Sequence, residues 1–399
     1  MIVVTIGIVL CIGAVVYCYV LYPPMIRRIA ARGVRPIATD RTDEPAVSVI
    51  LSVHNEERVI VSCLDSLLAL DYPKDRFQIL VGSDGSRDAT NEILQRYSQS
   101  HSSVKAFYFP EQRGKIAVLN DLVRHATTPI LFFTDADIRL ATDVLRLQTR
   151  HYSDEHIGAV AGMNDIYSPE SSSVYDSEKG YTDKEQMIRT AESMYYSTVG
   201  LSGANYSLRR RLWVPLPDGL IHDDFFVVLS VLRQGYRIVS EARSVSSDLF
   251  ARTLRDEFRR KVRSASRGFH TLSYFPELLL PRGGRAALLL WSHKLLRWLT
   301  PTLAVASIVF ASIGVALSGS MWCLAVVAAG AGLSAICALG LILNSLNVRV
   351  PILDQLSWFF AMNVAYLWGT ILFITHSDQV IWKPATRADA ATINGVSGH

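Results

Sequence analysis

The stretch FQILVGSDGSRDATNEILQRYSQS, residues 77–100, decides how the chain is read. It opens as a short apolar run, breaks at a Gly/Ser/Asp turn, and continues with helical spacing. That is one strand–turn–helix step, and the step recurs on both sides. Before it, AVSVILSVHNE (46–56) reads as a buried strand that breaks at polar residues. ERVIVSCLDSLLAL (57–70) then places Val59, Cys63, Leu67 and Leu70 on one helical face. After it come a third strand, VKAFYF (104–109), a helix, KIAVLNDLVRHA (115–126), and a fourth strand, PILFFTDAD (129–137). Strands alternating with helices predict a parallel sheet covered on both faces. Ligands of such sheets bind at the carboxyl ends of the strands. The polar residues that end these strands, His54 to Glu57, Ser83 to Asp88, and Asp135 with Asp137, are therefore expected along one rim.

Outside this middle region the chain changes character. Half of its 399 residues are hydrophobic, and the mean hydropathy is positive. Residues 2–22 carry no charge, and three further apolar spans lie at about 299–318, 321–343 and 356–375. Each is long enough to cross a hydrocarbon core of about 30 Å. The first span is either a retained anchor or a cleaved signal peptide. No Lys or Arg precedes it, whereas Arg27, Arg28, Arg32, Arg35 and Arg41 follow it, which favours the anchor. The same arginines place the middle domain in the cytoplasm by the positive-inside rule. The expected organisation is an anchor (1–24), a basic juxtamembrane linker (25–45), a globular domain (46–280), an interfacial amphipathic helix (281–300), three transmembrane helices (301–376) and a tail (377–399). Pro301 is expected to start the first of those three crossings. A net charge of +4, much of it juxtamembrane arginine, does not indicate a nucleic-acid partner. Of the five cysteines only Cys63 falls in the globular region, so neither a disulfide framework nor a zinc site is supported.

Two carboxylates one residue apart, Asp135 and Asp137, suit a hard divalent cation, Mg2+ or Mn2+. Such ions use one or two protein carboxylates and complete their shell with phosphate oxygens and water. Solvated aspartates at a strand end are the plainer alternative. Neither a GxxxxGK[ST] phosphate loop nor a GxGxxG turn is present. A sheet rim with a carboxylate pair and no phosphate loop points to nucleotide-sugars.

Taken in order, SVILSVHNEERVI, ILVGSDGSRDAT, RGKIAVLN, FFTDADIRL, GANYSLRR and IHDDFFVVLSVLRQGYRI resemble the family 2 inverting glycosyltransferases. Among these the resemblance is to the membrane-embedded group that includes hyaluronan, chitin, cellulose and poly-N-acetylglucosamine synthases. It implies an α/β GT-A domain with a mostly parallel sheet, flanked by transmembrane helices, in the cell (inner or plasma) membrane. It further implies a UDP-sugar donor, Mg2+ or Mn2+, and a glycan or lipid-linked acceptor beside membrane lipid. It leaves room for an accessory membrane subunit.

Residue by residue, the resemblance assigns Ser52, His54 and Glu56 to the nucleotide site, with His54 in place of a tyrosine that packs on uracil. Asp84 matches the second Asp of an Asp-Asp-Gly-Ser motif whose first position is Ser83 here. Lys115 matches a lysine near the nucleotide; a solvated lysine at a helix start is the plainer alternative. Asp135 would approach the ribose or the metal, and Asp137 would ligate the metal. Asp224 matches the base that deprotonates the acceptor hydroxyl, with Asp223 in support. Acids before FFVVLSVL also suit a helix N-terminus by charge alone. Gly203, Ala204 and Asn205 match a segment that shapes the acceptor site, with a buried turn as the alternative.

The Gln-x-x-Arg-Trp signature of processive synthases is altered: Arg260 stands at the Gln, Arg263 at the Arg, and Ser264 at the Trp. The arginine-rich stretch 252–272 suits either a diphosphate clamp or an anionic membrane surface. Polymer synthesis and single-sugar transfer to a lipid acceptor both stay open. A non-catalytic scaffold of an export complex predicts loss of Asp84, Asp135, Asp137 or Asp224, and all four are present.

Overall fold

The computed structural model describes residues 1–32, 44–168, 172–220, 222–249, 253–346 and 348–376. The expected tail 377–399 and residues 33–43 of the expected linker lie outside the described residues. The chain divides into two compact units. One contains residues 44–168 and 189–249; the other contains 1–32, 172–188 and 253–376.

The first unit is built on a sheet of strands β1 (Val47–Val53), β2 (Phe77–Asp84), β3 (Val104–Phe109), β4 (Ile130–Thr134), β5 (Arg139–Leu140), β6 (Ile157–Tyr167), β7 (Tyr206–Arg209) and β8 (Arg237–Leu249). Their order is β3-β2-β1-β4-β7-β6-β8-β5. The four strands read from sequence form its parallel half, with β1 between β2 and β4. β7 then runs antiparallel to both β4 and β6, and β8 runs parallel to β6.

The parallel half is buried on both faces, as its near-continuous apolar strands require. Val49, Ile50 and Leu51 are all shielded from solvent, as are Ile79 and Phe132. One face is covered by the helix Ile60–Leu68, which contributes Ile60, Cys63, Leu64 and Leu67. The helix Lys115–His125 lies against β2 on the other face. A Cβ built on Gly82 would stand 2.4 Å from Val118 Cγ1, so this helix packs at a distance only glycine permits. Gly82 thereby sets the height of Lys115 above the end of β2.

The second unit holds four helices long and apolar enough to cross a membrane: Ile2–Arg32, Pro281–Ser318, Met321–Ser345 and Pro351–Ile374. Even the shortest, 24 residues, is about 36 Å long at about 1.5 Å per residue. Apolar side chains such as Leu333, Ile336 and Leu339 point outward on them. The stretch 281–300, expected as a separate interfacial helix, is continuous with the helix Leu296–Ser318. Pro301 lies inside the helix Leu296–Ser318 and not at its start. Proline removes one N–H and crowds the carbonyl four residues back, and the helix absorbs this beside the π turn Leu290–Leu295.

Two buried glutamates of this unit sit in clusters of opposite charge. Within residues 173–188, Glu185 receives His293 Nε2 at 3.0 Å, Lys294 Nζ at 3.5 Å and the Arg297 guanidinium. Glu178 receives Arg260 and, at 3.2 Å, Lys261. The Lys261 ammonium also sits 4.0 Å from the Tyr181 ring centre.

Candidate active site

The ends of β1 and β2 are joined by reciprocal hydrogen bonds. Asn55 takes the left-handed conformation (φ 54) that asparagine tolerates. Its backbone N–H donates to Ser86 Oγ at 3.1 Å, and its Oδ1 accepts from Arg87 N at 2.8 Å. Glu56 N donates to the buried Thr90 hydroxyl at 2.8 Å. Glu57 N donates to Asp88 Oδ2, and Glu57 Oε2 accepts from Ala89 N. His54 Nδ1 lies 2.6 Å from the carbonyl oxygen of Asp84. These bonds hold His54 to Glu57 and Ser83 to Asp88 at one end of the sheet. Ser52 lies in β1 beside Gly82.

Asp84 ends β2 and is buried. Its Oδ1 accepts from Arg113 N and its Oδ2 from Gly114 N, both at 2.8 Å. The carboxylate therefore holds the turn that begins the helix Lys115–His125. Gly85, at φ +65, lets that turn come close: a Cβ there would stand 2.6 Å from Gln112 N. Asp84→Ala should lower the unfolding free energy by about 2 kcal/mol or more, since two N–H donors would lose a charged acceptor. A thermal melt of the variant checks this.

Lys115 opens its helix and points to the carboxylates. Its Nζ is 2.8 Å from Asp135 Oδ1, just past β4, and 3.5 Å from Asp223 Oδ2, at the start of the helix Asp223–Arg233. Desolvation works against the ammonium, but Asp135 and then Asp223 outweigh it, so its pKa lies above the ordinary lysine value. Desolvation likewise raises the Asp135 carboxyl, and Lys115 only partly offsets it. Burial, and after it the charges of Asp137, Asp135 and Glu56, push the Cys63 thiol up to about 12. Asp137 and Glu56 thus belong to the same acidic neighbourhood, and Cys63 beneath it is an unreactive core thiol.

Asp224 follows Asp223 in the first helical turn. Its Oδ1 accepts from Phe225 N at 2.7 Å and lies 3.4 Å from His222 Nε2. A Cβ built on Gly203 would stand 3.5 Å from Asp224 Oδ2, in ordinary contact, so Gly203 lies directly beside the carboxylate. Ala204 and Asn205 are buried. The Asn205 side chain receives Gln148 Nε2 at 2.8 Å and donates to the Ser244 carbonyl at 2.8 Å. The tripeptide is therefore a buried turn from which Gly203 faces Asp224.

Sequence reading missed Tyr206. It stacks on Phe133 with ring centres 4.7 Å apart and planes at 8°. Burial, then Asp223, Asp224 and Asp135, push its hydroxyl well above the ordinary tyrosine value. Its place directly after the Gly203–Asn205 turn was the available signal. Arg260 and Arg263 lie in the helix Leu254–Ser273 of the other unit, where Arg260 Nη2 is 2.7 Å from Glu257 Oε2.

No group of three or more His, Cys, Asp or Glu side chains among the described residues could hold a metal ion. Asp135 and Asp137 offer only part of a coordination shell, all of it hard oxygen. Mg2+ or Mn2+ fits such a pair when phosphate oxygens supply the rest.

The strand order, with its parallel half and the acidic residues at its carboxyl rim, is the GT-A fold of glycosyltransferases. Residues 48–213 match the family model described as Glycosyl transferase family 2. Over that stretch the chain is similar to the family 2 glycosyltransferases. The mannosyltransferase PcManGT of Pyrobaculum calidifontis, solved with GDP-Man and Mn2+, shares the fold with a TM-score of 0.69. It is 22% identical, and the match covers 94% of this chain and 99% of that one. Poly-beta-1,6-N-acetyl-D-glucosamine synthase of Staphylococcus epidermidis is 22% identical over 65% of this chain and 62% of its own length. Beta-monoglucosyldiacylglycerol synthase of Nostoc sp. is 30% identical over 29% of this chain and 25% of its own length. The chain spans about half the length of the first curated relatives it matches.

Proposed function

We propose that this chain is an integral-membrane inverting glycosyltransferase. On this reading it moves a hexose or N-acetylhexosamine from a UDP-sugar onto a glycan or lipid-linked acceptor, forming a β-glycosidic bond in the cell envelope. Residues 46–280 are the catalytic domain, on the cytoplasmic side of the cell membrane. One observation carries the reading: Lys115, Asp135 and Asp223 meet at the carboxyl rim of the sheet, with Asp224 beside Gly203.

Each residue then has a chemical task. Asp224 takes the proton of the acceptor hydroxyl as that oxygen attacks the anomeric carbon from the side opposite the leaving group. Asp223 holds Lys115 in reach, and the ammonium meets the diphosphate as negative charge develops there. Asp135 and Asp137 hold Mg2+ or Mn2+. When bound, the cation supplies Lewis-acid stabilisation to the departing diphosphate. His54 offers an imidazole face to the base, and Asp84 fixes the turn that presents Lys115.

The names of the relatives include a polysaccharide synthase and a glycolipid synthase. Ser264, at the position of the channel tryptophan of processive synthases, favours transfer of a single sugar to a lipid acceptor over polymerisation. The test is release of nucleoside diphosphate by the detergent-purified protein over a panel of UDP- and GDP-sugars, with Mn2+ or Mg2+ and with EDTA. Metal-dependent release from one UDP-sugar supports the reading. Release from a GDP-sugar alone would replace the donor, and silence without nucleotide binding would sink the reading. Product length on a gel separates polymer from single transfer.

A further inference from the structure

The Lys115 ammonium stands against Asp135, one of the two carboxylates to which a cation is assigned above. The 2.8 Å pair is only partly withdrawn from solvent, with 40% of the Lys115 side chain and 36% of the Asp135 side chain exposed. A partly exposed pair of this kind adds little to stability. It has a larger consequence for any second cation that approaches Asp135. The ammonium is delivered there by the fold: Gly82 sets how closely its helix packs, and Asp84 holds Gly114 immediately before it. Only the flexible four-carbon stem is free to redirect the charge.

We propose that Lys115 is an internal counter-ion that must leave Asp135 before Asp135 and Asp137 can hold a divalent cation, so that the cation binds tightly only together with a nucleoside diphosphate. The inference rests on the nucleotide-sugar reading above. A dication approaching Asp135 meets a like charge a few ångströms away, and their repulsion is twice that of two unit charges at the same separation. A diphosphate arriving with the cation offers anionic oxygens to the ammonium. The lysine then exchanges one anionic partner for another, and no charge is stranded. Cation and diphosphate must raise each other's affinity by the same factor, because such coupling is reciprocal. Asp223, 3.5 Å away, gives the ammonium a second anion to rest on during the exchange.

The test is Mn2+ binding to the full chain in detergent, read from the spin-resonance signal of free Mn2+, with and without UDP or GDP. The signal is corrected for Mn2+ held by free nucleotide. Wild-type protein should bind Mn2+ tightly only with a diphosphate. Lys115→Gln should raise the affinity for Mn2+ alone by about tenfold or more, and should lose a similar factor of enhancement by nucleotide. Lys115→Met should do the same. Arg113→Gln removes a neighbouring cation that pairs with Asp121 instead, and should leave the affinity unchanged. Unchanged or weaker Mn2+ affinity in both Lys115 variants, or an equal rise in Arg113→Gln, would overturn the inference while the wild-type ternary complex stood. Wild-type protein that takes up Mn2+ neither alone nor with UDP or GDP would overturn both this inference and the donor reading.

Discussion

Asp224→Asn should keep the protein folded and its nucleotide affinity intact while lowering the rate of sugar transfer by about 10^2- to 10^4-fold, the range that general-base catalysis typically contributes. The substitution changes one atom's chemistry and little of the geometry. Asparagine retains an oxygen that can accept the Phe225 N–H now 2.7 Å from Asp224 Oδ1. It fills the same space beside Gly203, so the first turn of the helix Asp223–Arg233 has no steric reason to move. The amide cannot take a proton from an acceptor hydroxyl, and that is the function under test. Loss of one charge at a helix N-terminus removes only about 0.3–1 kcal/mol of dipole stabilisation. The rate of diphosphate release, the dissociation constant for UDP and a thermal melt together check this. A fall in kcat with unchanged nucleotide affinity marks a group that acts in the transition state. Retention of more than a tenth of the activity would remove Asp224 from the role of base.

The parts of this molecule that were legible in its sequence are those written in local patterns. β1 to β4 alternate with helices whose apolar faces repeat at helical spacing, and each strand ends in turn chemistry, so the parallel half and its polar rim follow from short windows. The second half of the sheet is different. β8 contains buried Ser244 and Ser246, and Ser240 within the same polar run, so it lacks the apolar signature of a strand. The helix Ser173–Tyr195 hides Glu178, Glu185 and Glu192 in its interior. Glutamate at a buried position is indistinguishable in sequence from glutamate on a solvated face, because the deciding partners, His293 and Arg297 for Glu185, lie more than a hundred residues away.

The candidate site divides in the same way. Asp135 is expected on the rim, and Lys115 is placed near the nucleotide only by resemblance; their 2.8 Å contact is not itself foreseen. Nor is the grip of Asp84 on two backbone N–H groups, because backbone donors leave no mark in a sequence. That grip makes Asp84 a residue that positions Lys115 by way of Gly114, alongside any contact it makes with a base. Asn205 follows the same logic: its type matches an acceptor-site motif, and its side chain is spent on Gln148 and Ser244. What remains for the site from that tripeptide is the bare Cα of Gly203.

Glu185→Gln should destabilise the helical unit by about 3–5 kcal/mol, the usual cost of removing one partner from a buried ion pair. Glu185 is buried and faces His293, Lys294 and Arg297, with Tyr181 3.1 Å from Arg297 on the same side. Burial alone would raise its carboxyl; His293, Arg297 and Lys294 more than reverse this and hold it well below the usual carboxylate range. The sign of the pH dependence follows. A carboxyl depressed in the folded state contributes stability that is fully present above its unfolded value and is lost as pH falls through its folded value. Wild-type protein in detergent should therefore keep this contribution through neutrality and lose it progressively as pH drops below the ordinary glutamate range. The Gln variant should start lower and lack that acid-dependent component. Its deficit is mostly that of stranded cations and not of a lost hydrogen bond, because glutamine still offers His293 an acceptor. Pairing Glu185→Gln with Arg297→Met should accordingly recover part of the loss, since the second change removes the uncompensated guanidinium from the interior. Unfolding measured for the two single variants and the double variant, at pH 7 and at pH 4, tests each step. A Gln variant within about 1 kcal/mol of wild type at neutral pH would show that water or lipid headgroups reach the cations, and that the cluster is not the interior lock its burial describes.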